Sequence, residues 1–264
     1  MSLYRPTFLQ PGCACSGPGL EVEETEWCRE ERRAYTFPSG MRYTGQWLQD
    51  KPDGEGFQEF PDGGTYRGEF RQGKAEGLGT FEYANGSVYV GPWVNDSAHG
   101  EGNCTLTDGS VYQGEWVCGR QHGSGTLRFP DGTKYVGQYR DGVKCGGGTV
   151  SYQGDKSGCK YEGEFLNDNF HGRGVYTWED GRRYEGSWHE SKMHGEGSFT
   201  FVDGRKYEGQ YVHGEKSGIG TYYWPDGRRY TGEVKQGKQH GKGTFFDASG
   251  QRKDGEWVMG KRVK

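Results

Sequence analysis

Aromatic residues recur along this chain at a fixed interval, with charged and small residues between them. A tyrosine stands every 23 residues, with one longer step of 26, at Tyr43, Tyr66, Tyr89, Tyr112, Tyr135, Tyr161, Tyr184, Tyr207 and Tyr230. The longer step contains a three-residue insertion, and a degenerate tenth copy has Lys253 in the tyrosine column. A short fixed period is typical of an array in which one supersecondary unit is stacked many times.

Alternation within each copy predicts two β-strands. In the copy at 183–204, Tyr184, Gly186 and Trp188 fall on one face of an extended segment, and the glycines and phenylalanines of 195–201 fall on one face of the next. Asp203-Gly204 then gives a tight-turn signal before the following copy. Each copy therefore predicts a hairpin with one aromatic face and one polar face, in which strand glycines leave room for neighbouring rings.

Consecutive hairpins predict an all-β fold: an elongated, single-layer antiparallel β-sheet that is right-twisted and open at both ends. Residues 37–264 are expected to form the array, with nine full copies and the degenerate tenth. Residues 1–36 are expected to be a partly disordered leader. Its segment at about 20–34 is acidic first and basic later, which suits a short helix that caps the first copy.

Composition excludes several classes of protein. The formal net charge is −4, so no basic excess points to nucleic acid as a partner. The seven cysteines show no C-x-x-C spacing and no apolar signal segment precedes them, which favours a reduced, cytoplasmic protein. Cys13 and Cys15 are candidates for lipidation, with two exposed thiols as the alternative. No run approaches the ~20 apolar residues of a membrane span.

The repeated pattern resembles that of a known family. Tyr-x-Gly-x-Trp/Phe/Tyr, followed by His-Gly-x-Gly-x-hydrophobic-x-aromatic and Asp-Gly, is similar to the MORN repeat (membrane occupation and recognition nexus) and covers most of the chain, as in Tyr184–Gly204. The resemblance implies a single-layer sheet without catalytic activity of its own. Stand-alone arrays of this family occur in radial spoke heads and cytoskeletal scaffolds, and some relatives pair tail to tail, which implies a possible homodimer through a terminal repeat.

The aromatic face is the first candidate site. Because a single-layer sheet cannot cover both of its faces, this face is predicted to form a partly exposed groove for a partner helix or an extended peptide. In the alternative, the rings fold onto one another and leave little groove. The predicted groove residues are Trp47, Tyr66, Phe70, Tyr89, Trp93, Tyr112, Trp116, Tyr135, Tyr161, Tyr184, Trp188, Tyr207 and Tyr230.

A row of cations in the hairpin loops is the second candidate site. These residues are expected on one long edge, where they would contact an anionic surface such as lipid headgroups or an acidic protein tail. They are Lys51, Lys74, Arg120, Lys144, Lys192, Lys216 and Lys238. The alternative is that they are solvated lysines that keep the loops soluble.

Nothing in the pattern indicates catalysis. Five histidines share one slot of the repeat (His99, His122, His171, His194, His240), and two strand spacings would separate those of adjacent copies by about 10 Å, too far for one metal ion. The Gly-x-Gly pairs run on into strand and lack the context of a nucleotide loop. We therefore expect no active site, no metal and no cofactor.

The sequence as a whole predicts a non-enzymatic scaffold or adaptor that docks partner proteins along an aromatic-lined ribbon. A cytoskeletal location, with the axoneme of a cilium or flagellum as the first candidate, follows from the likeness to radial-spoke-head members. The competing hypothesis is a membrane-apposed adaptor that binds acidic phospholipids through the loop cations.

Overall fold

A computed structural model describes residues 28–264, which fold almost entirely as β-strand. A single 3-10 turn, Gly154–Lys156, lies in the inserted segment. The strands are β1 Glu30–Thr36, β2 Arg42–Leu48, β3 Lys51–Glu59, β4 Thr65–Arg71, β5 Lys74–Glu82, β6 Val88–Val94, β7 Ser97–Ala98, β8 Gly100–Thr105, β9 Val111–Val117, β10 Arg120–Arg128, β11 Lys134–Arg140, β12 Val143–Ser151, β13 Lys160–Leu166, β14 Asn169–Thr177, β15 Arg183–His189, β16 Lys192–Thr200, β17 Lys206–Val212, β18 Glu215–Tyr223, β19 Arg229–Lys235, β20 Lys238–Phe246, β21 Arg252–Val258 and β22 Lys261–Arg262.

Each strand pairs antiparallel with its neighbours in sequence, so the described residues form one open sheet. The short strands β7 and β8 both pair with β6 and together take the place of one strand. The predicted all-β array of consecutive hairpins is confirmed. No crossover helix is needed, because every connection within residues 28–264, apart from the break between β7 and β8, joins adjacent antiparallel strands.

The expected helix at about 20–34 is wrong where the structure describes it. Residues Glu30–Thr36 form β1, which pairs with β2 and places Glu30 opposite Trp47. The open edge of β2 offers unpaired backbone groups, and a strand satisfies them where a helix does not. The sheet therefore begins before residue 37, with a strand that is not itself a copy of the repeat. The rest of the expected helix, the expected disorder of the leader, and Cys13 and Cys15 lie outside the described residues.

A buried acid fixes β1 to the first copy. Asp53 is only 3% exposed, and its carboxylate accepts hydrogen bonds from Arg29 Nε at 2.8 Å and from the backbone N–H of Gln72 at 3.1 Å. Burial alone raises the pKa of Asp53, but these two donors outweigh it and the pKa is lowered overall. The carboxylate thus stays charged while it joins the segment before β1 to the next hairpin.

The repeating unit is a tyrosine ring laid across two facing glycines. In the copy around Tyr184, Gly186 pairs with Gly197, and a Cβ on Gly197 would overlap the Tyr184 ring. Tyr184 Oη donates a hydrogen bond to the carbonyl of Ser187 at 2.9 Å. All nine column tyrosines donate to the carbonyl three residues on, at 2.8–3.1 Å. The glycines of the pattern are therefore required by close packing.

The same tyrosines join one copy to the next. Tyr184 makes an edge-to-face contact with Trp188 of its own strand and another with Tyr211 of the following copy, both with ring centroids 5.1 Å apart. Such pairs contribute about 0.5–1.5 kcal/mol beyond the area they bury. The core is consequently a continuous row of rings on one face of the sheet.

We expect Gly197→Ala to destabilise the array by about 2 kcal/mol, because the added methyl would overlap the Tyr184 ring and displace it from its contact with the glycine backbone. The measurement is urea unfolding followed by circular dichroism. Gly147→Ala is the matched control, since Gly147 lies in β12 and a Cβ added to it would meet no atom within 4 Å. Its midpoint should stay unchanged or rise slightly. Equal midpoints for the two variants would contradict the packing role assigned to the glycines.

Candidate partner-binding face

The residues predicted to line a groove are core residues. Each of the thirteen is at most 7% exposed, and the column tyrosines from Tyr89 to Tyr230 are fully buried. The prediction that these side chains themselves form an exposed groove is wrong. Its alternative describes them correctly, because each ring packs against glycine backbone and against the rings of adjacent copies.

A second layer of side chains lies over this core and is partly exposed. We call this layer the aromatic ridge; most of its members come from the second strand of each copy or from the turn that follows. Its members are Phe37, Phe60, Phe81, Leu127, Tyr152, Phe170, Tyr176, Trp178, Met193, Phe201, Tyr222, Trp224 and Phe245. These are the apolar side chains of the face that a partner can reach.

Three arginines flank the C-terminal half of the ridge. Arg182, Arg205 and Arg228 each follow an Asp-Gly turn and pair with the turn aspartate at 2.7 Å. Their guanidinium groups lie over Trp178, Phe201 and Trp224, at 5.4, 5.1 and 5.8 Å from the ring centroids. This row was not among the predicted sites, although Asp-Gly-Arg recurs there at the repeat interval. Stacked arginines of this kind are frequent at protein interfaces.

A cleft of about 200 Å³ on the ridge is lined by Phe201, Tyr222, Trp224 and Lys238. Two further clefts interrupt the ridge. The larger, about 740 Å³, lies beside the inserted segment and is lined by Phe129, Tyr152, Phe170 and Lys144. Val150, one of its lining residues, stands opposite Tyr135 and Tyr161. The smaller, about 310 Å³, is lined by Met193, Phe199, Phe201, Tyr211 and Lys216.

The predicted cation row divides into two groups. Lys51, Lys74, Arg120, Lys192 and Lys238 are exposed, each at the first position of a strand after a hairpin turn. Two of them reach neutral amides of the next hairpin: Lys51 Nζ donates to Gln72 at 3.3 Å, and Lys74 Nζ to Asn95 at 3.2 Å. Contact of these five with an anionic surface stays a prediction.

Lys144 and Lys216 do not belong to the exposed edge, which corrects their assignment. They stand directly opposite Tyr139 and Tyr211 and therefore point to the aromatic face. In the other copies this inward position is held by Pro52, Ala75, Ala98, Gln121, Phe170, Met193 and Gln239. Among the nine full copies a charged group occupies it in only these two; in the degenerate tenth copy Arg262 holds it, opposite Trp257.

The Lys216 ammonium is enclosed by aromatic rings. Its Nζ lies 5.0 Å from the centroid of Phe199, 4.4 Å from Phe201, 5.1 Å from Tyr207 and 5.5 Å from Tyr222. Burial, and then the nearby positive charge of Arg205, lower the pKa of Lys216 to about 8. Within residues 28–264 no carboxylate or hydrogen-bond acceptor offsets this cost. Attraction to the rings is the compensation that the structure provides.

The same two copies carry an orphaned hydroxyl. Tyr139 and Tyr211 stand where other copies place Trp, Phe or Val, and their hydroxyl oxygens are buried without a hydrogen-bond partner among the described residues. A tryptophan at this position can reach a carbonyl, as Trp188 Nε1 does to Gly174 O at 3.1 Å. Burial accordingly raises the pKa of Tyr211 above that of an ordinary phenol.

The histidines form a row in the middle of the array. His171, His189, His194 and His213 follow one another with ring centroids 5.4, 5.7 and 5.5 Å apart. His189 and His213, outside the repeated slot, fill the space expected between the histidines of adjacent copies. No cluster of three or more His, Cys, Asp or Glu suited to a metal ion occurs among residues 28–264. In the same region, no helix is long and apolar enough to cross a membrane.

Comparison with known proteins identifies the repeat. The MORN repeat family matches nine consecutive segments, at residues 43–65, 66–88, 89–111, 112–134, 135–154, 161–182, 184–204, 207–228 and 230–252. The open sheet of hairpins and this match define a β-repeat array, and the chain belongs to the MORN repeat family. No curated protein matches the chain significantly.

Solved structures show only a distant likeness. The TCP domain of SAS-4 from Drosophila melanogaster, in complex with a proline-rich motif of Ana2, is 10% identical, covers 75% of this chain and 99% of its own, and has a TM-score of 0.37. The wild-type TCP10 domain of Danio rerio CPAP is 13% identical, with coverages of 88% and 98% and a TM-score of 0.32. At such scores the likeness carries no information about function.

We expect Lys216→Met to raise the free energy of unfolding by about 1 kcal/mol at pH 7, allowing for the partial exposure of the ammonium, because the variant removes a desolvated charge from an apolar wall. The gain should shrink as pH rises through about 8. Above pH 8 the Lys216 ammonium loses its proton in the folded wild type, whereas in the unfolded chain it keeps the proton up to its ordinary pKa of 10.5. The free energy of unfolding of the wild type therefore rises over this range.

The measurement is urea unfolding between pH 7 and pH 10, with Lys238→Met as control because Lys238 is exposed. The control should unfold at the wild-type midpoint at every pH. A Lys216→Met variant less stable than wild type, or a gain that does not change with pH, would show that the ammonium is not desolvated.

Proposed function

We propose that this protein is a non-enzymatic scaffold that docks partner proteins on the aromatic ridge, in a cytoplasmic, cytoskeletal assembly. One observation carries the proposal: a long row of half-buried rings lies over a closed core on one face of the sheet. Aromatic and arginine side chains dominate the energetics of protein interfaces, and both are present here. The ridge supplies contact area, while the core keeps it rigid.

The axoneme of a cilium or flagellum is the assembly we propose first. Support comes from the resemblance to stand-alone arrays of the radial-spoke type. The geometry suits a spacer, since about twenty strands at ~4.8 Å give a ribbon about 90 Å long. A homodimer through a terminal repeat also remains a proposal, supported by the unpaired edge that β22 presents among the described residues.

Binding of acidic phospholipids is the second candidate. It is supported by five exposed cations beside the hairpin turns, Lys51, Lys74, Arg120, Lys192 and Lys238. Two of the seven cations predicted for this surface, Lys144 and Lys216, point to the aromatic face instead, which weakens the case for lipid binding. At ~1 kcal/mol per cation near an anionic leaflet, five spread along the ribbon give modest attraction.

The test compares detergent extraction of tagged full-length variants from ciliated cells. We expect wild type to stay with the insoluble axoneme and a Trp178→Gln, Trp224→Gln variant to be released, because both rings are partly exposed members of the ridge. Leu78→Gln with Ile219→Gln is the matched control, since these apolar side chains are exposed on the opposite face. That control should behave as wild type.

Two results would overturn the proposal. Release of the wild type with the membrane fraction would favour the lipid-binding candidate. Retention of the Trp178→Gln, Trp224→Gln variant at the wild-type level would show that the ridge is not the docking surface.

A further inference from the structure

The cleft at Lys216 combines features that a purely apolar docking groove lacks. Its wall is made of Met193, Phe199 and Phe201, yet an ammonium group stands within it without a counterion among the described residues. Leaving a buried charge unpaired is costly, and copies with Met193 or Gln239 in the same position avoid that cost. Attraction to the rings offsets part of that cost, but the packing of the array does not require a lysine here.

The charges around the cleft are arranged to favour an anion. Arg205 lies over the Phe201 ring at 5.1 Å, and Lys216 Nζ lies 4.4 Å from the same ring. Arg205 is paired with Asp203 at 2.7 Å, whereas Lys216 has no such partner within residues 28–264. Glu215 also borders the cleft, but alternation along the strand turns its side chain to the face opposite that of Lys216, and within residues 28–264 no ion pair joins the two.

A second polar group at the cleft also lacks a partner. Tyr211, which lines the cleft and is 1% exposed, has a hydroxyl with no hydrogen-bond partner in the described part of the chain. An orphaned hydroxyl and an unpaired ammonium on directly opposite residues are each expensive alone. The region beyond them is also basic, since residues 228–264 contain ten Lys/Arg against four Asp/Glu.

We propose that the Lys216 cleft is a specificity pocket of the docking face, which receives an aspartate or glutamate side chain of a partner protein segment whose flanking apolar residues lie on the aromatic ridge. The carboxylate accepts a hydrogen bond from the Lys216 ammonium and neutralises the unpaired charge. The flanking residues pack against Phe201 and Trp224. This inference rests on the proposed function and adds the chemistry of the partner to it.

The Lys144 cleft is the natural comparison within the same chain. Lys144 Nζ lies over Tyr135 at 5.1 Å in the equivalent position. Its cleft is also lined by Asp131, Asp155 and Asp168, and the Asp168 carboxylate accepts a hydrogen bond from the Lys144 backbone N–H at 3.0 Å. Carboxylates already present there oppose a further one. We therefore assign acid recognition to Lys216 and not to Lys144.

The test uses two pools of short, end-capped peptides that differ at one position. In one pool the central residue is Glu and in the other it is Gln, with randomised apolar and neutral polar residues on both sides. Each pool is passed over immobilised full-length wild type, Lys216→Met and the control Lys192→Met, an exposed lysine of the hairpin edge, at physiological salt. We expect wild type to retain the Glu pool about tenfold more than the Gln pool, the range of a hydrogen bond to a charged group.

That preference should vanish in Lys216→Met and persist in Lys192→Met. Folding does not confound the comparison, because the Lys216→Met variant is expected to be the more stable protein. The preference is also a ratio between pools, so a general gain in apolar binding leaves it unaffected.

Three results would overturn the inference, and they are distinguishable. Equal retention of both pools on wild type, lost in the Trp178→Gln, Trp224→Gln variant, would leave the docking face standing and remove the acid pocket. Retention of neither pool would count against both. A parallel experiment measures binding to phosphatidylserine vesicles, because lipid headgroups also carry carboxylate and phosphate groups. If wild type binds the vesicles, Lys216→Met does not, and neither peptide pool is preferred, the site would be assigned to lipid headgroups.

Discussion

The contact between a tyrosine ring and a pair of facing glycines is the constraint on which the whole array depends. Glycine weakens a strand, because it has no side chain to pack and more backbone freedom to lose. Here the ring of Tyr184 fills the space above Gly186 and Gly197, and its hydroxyl satisfies the Ser187 carbonyl. The same ring then contacts Tyr211 of the next copy, so local packing and the coupling between repeats come from one side chain.

This arrangement determines where a partner can bind. The column tyrosines, and the tryptophans that stand opposite the inward position, are buried in the core. The side chains that reach solvent on this face therefore come mostly from the second strand of each copy and the turn after it. The ridge rests on a closed layer of rings, so it is held in fixed positions, which reduces the ordering cost of binding. Rigidity of the ribbon and recognition by its face thus have a common origin in the tyrosine column.

Much of the fold could be predicted from the sequence, because the 23-residue period and the alternation within each copy are both regular. The points where the structure differs from the prediction have physical reasons. Residues Glu30–Thr36 carry no alternating apolar pattern, and they form a strand because the edge of β2 is open. The tyrosine column was predicted to be exposed and is buried. Alternation shows on which face of the sheet a side chain lies, but it does not show which other side chains cover that face. The inward position of Lys216 could have been predicted from the sequence, since Lys216 stands two residues before Gly218 on the same face. The lack of a counterion could not have been predicted, because it depends on which side chains surround the ammonium.

Repeat arrays allow one copy to depart from the pattern without disturbing the rest, because each copy contacts only its neighbours. At Tyr211 and Lys216 two departures occur together: a hydroxyl replaces an apolar or indole ring, and an ammonium replaces an apolar side chain or an amide. Either alone costs stability, and the tyrosine–glycine packing on both sides is unchanged. Where most copies follow one pattern, departures that cost stability are expected at sites where a ligand completes the structure. The same pair of departures occurs at Tyr139 and Lys144, but Asp131, Asp155 and Asp168 line that cleft. At Lys216 no carboxylate in the described part of the chain pairs with the desolvated ammonium, and this is the reason to look for the partner there.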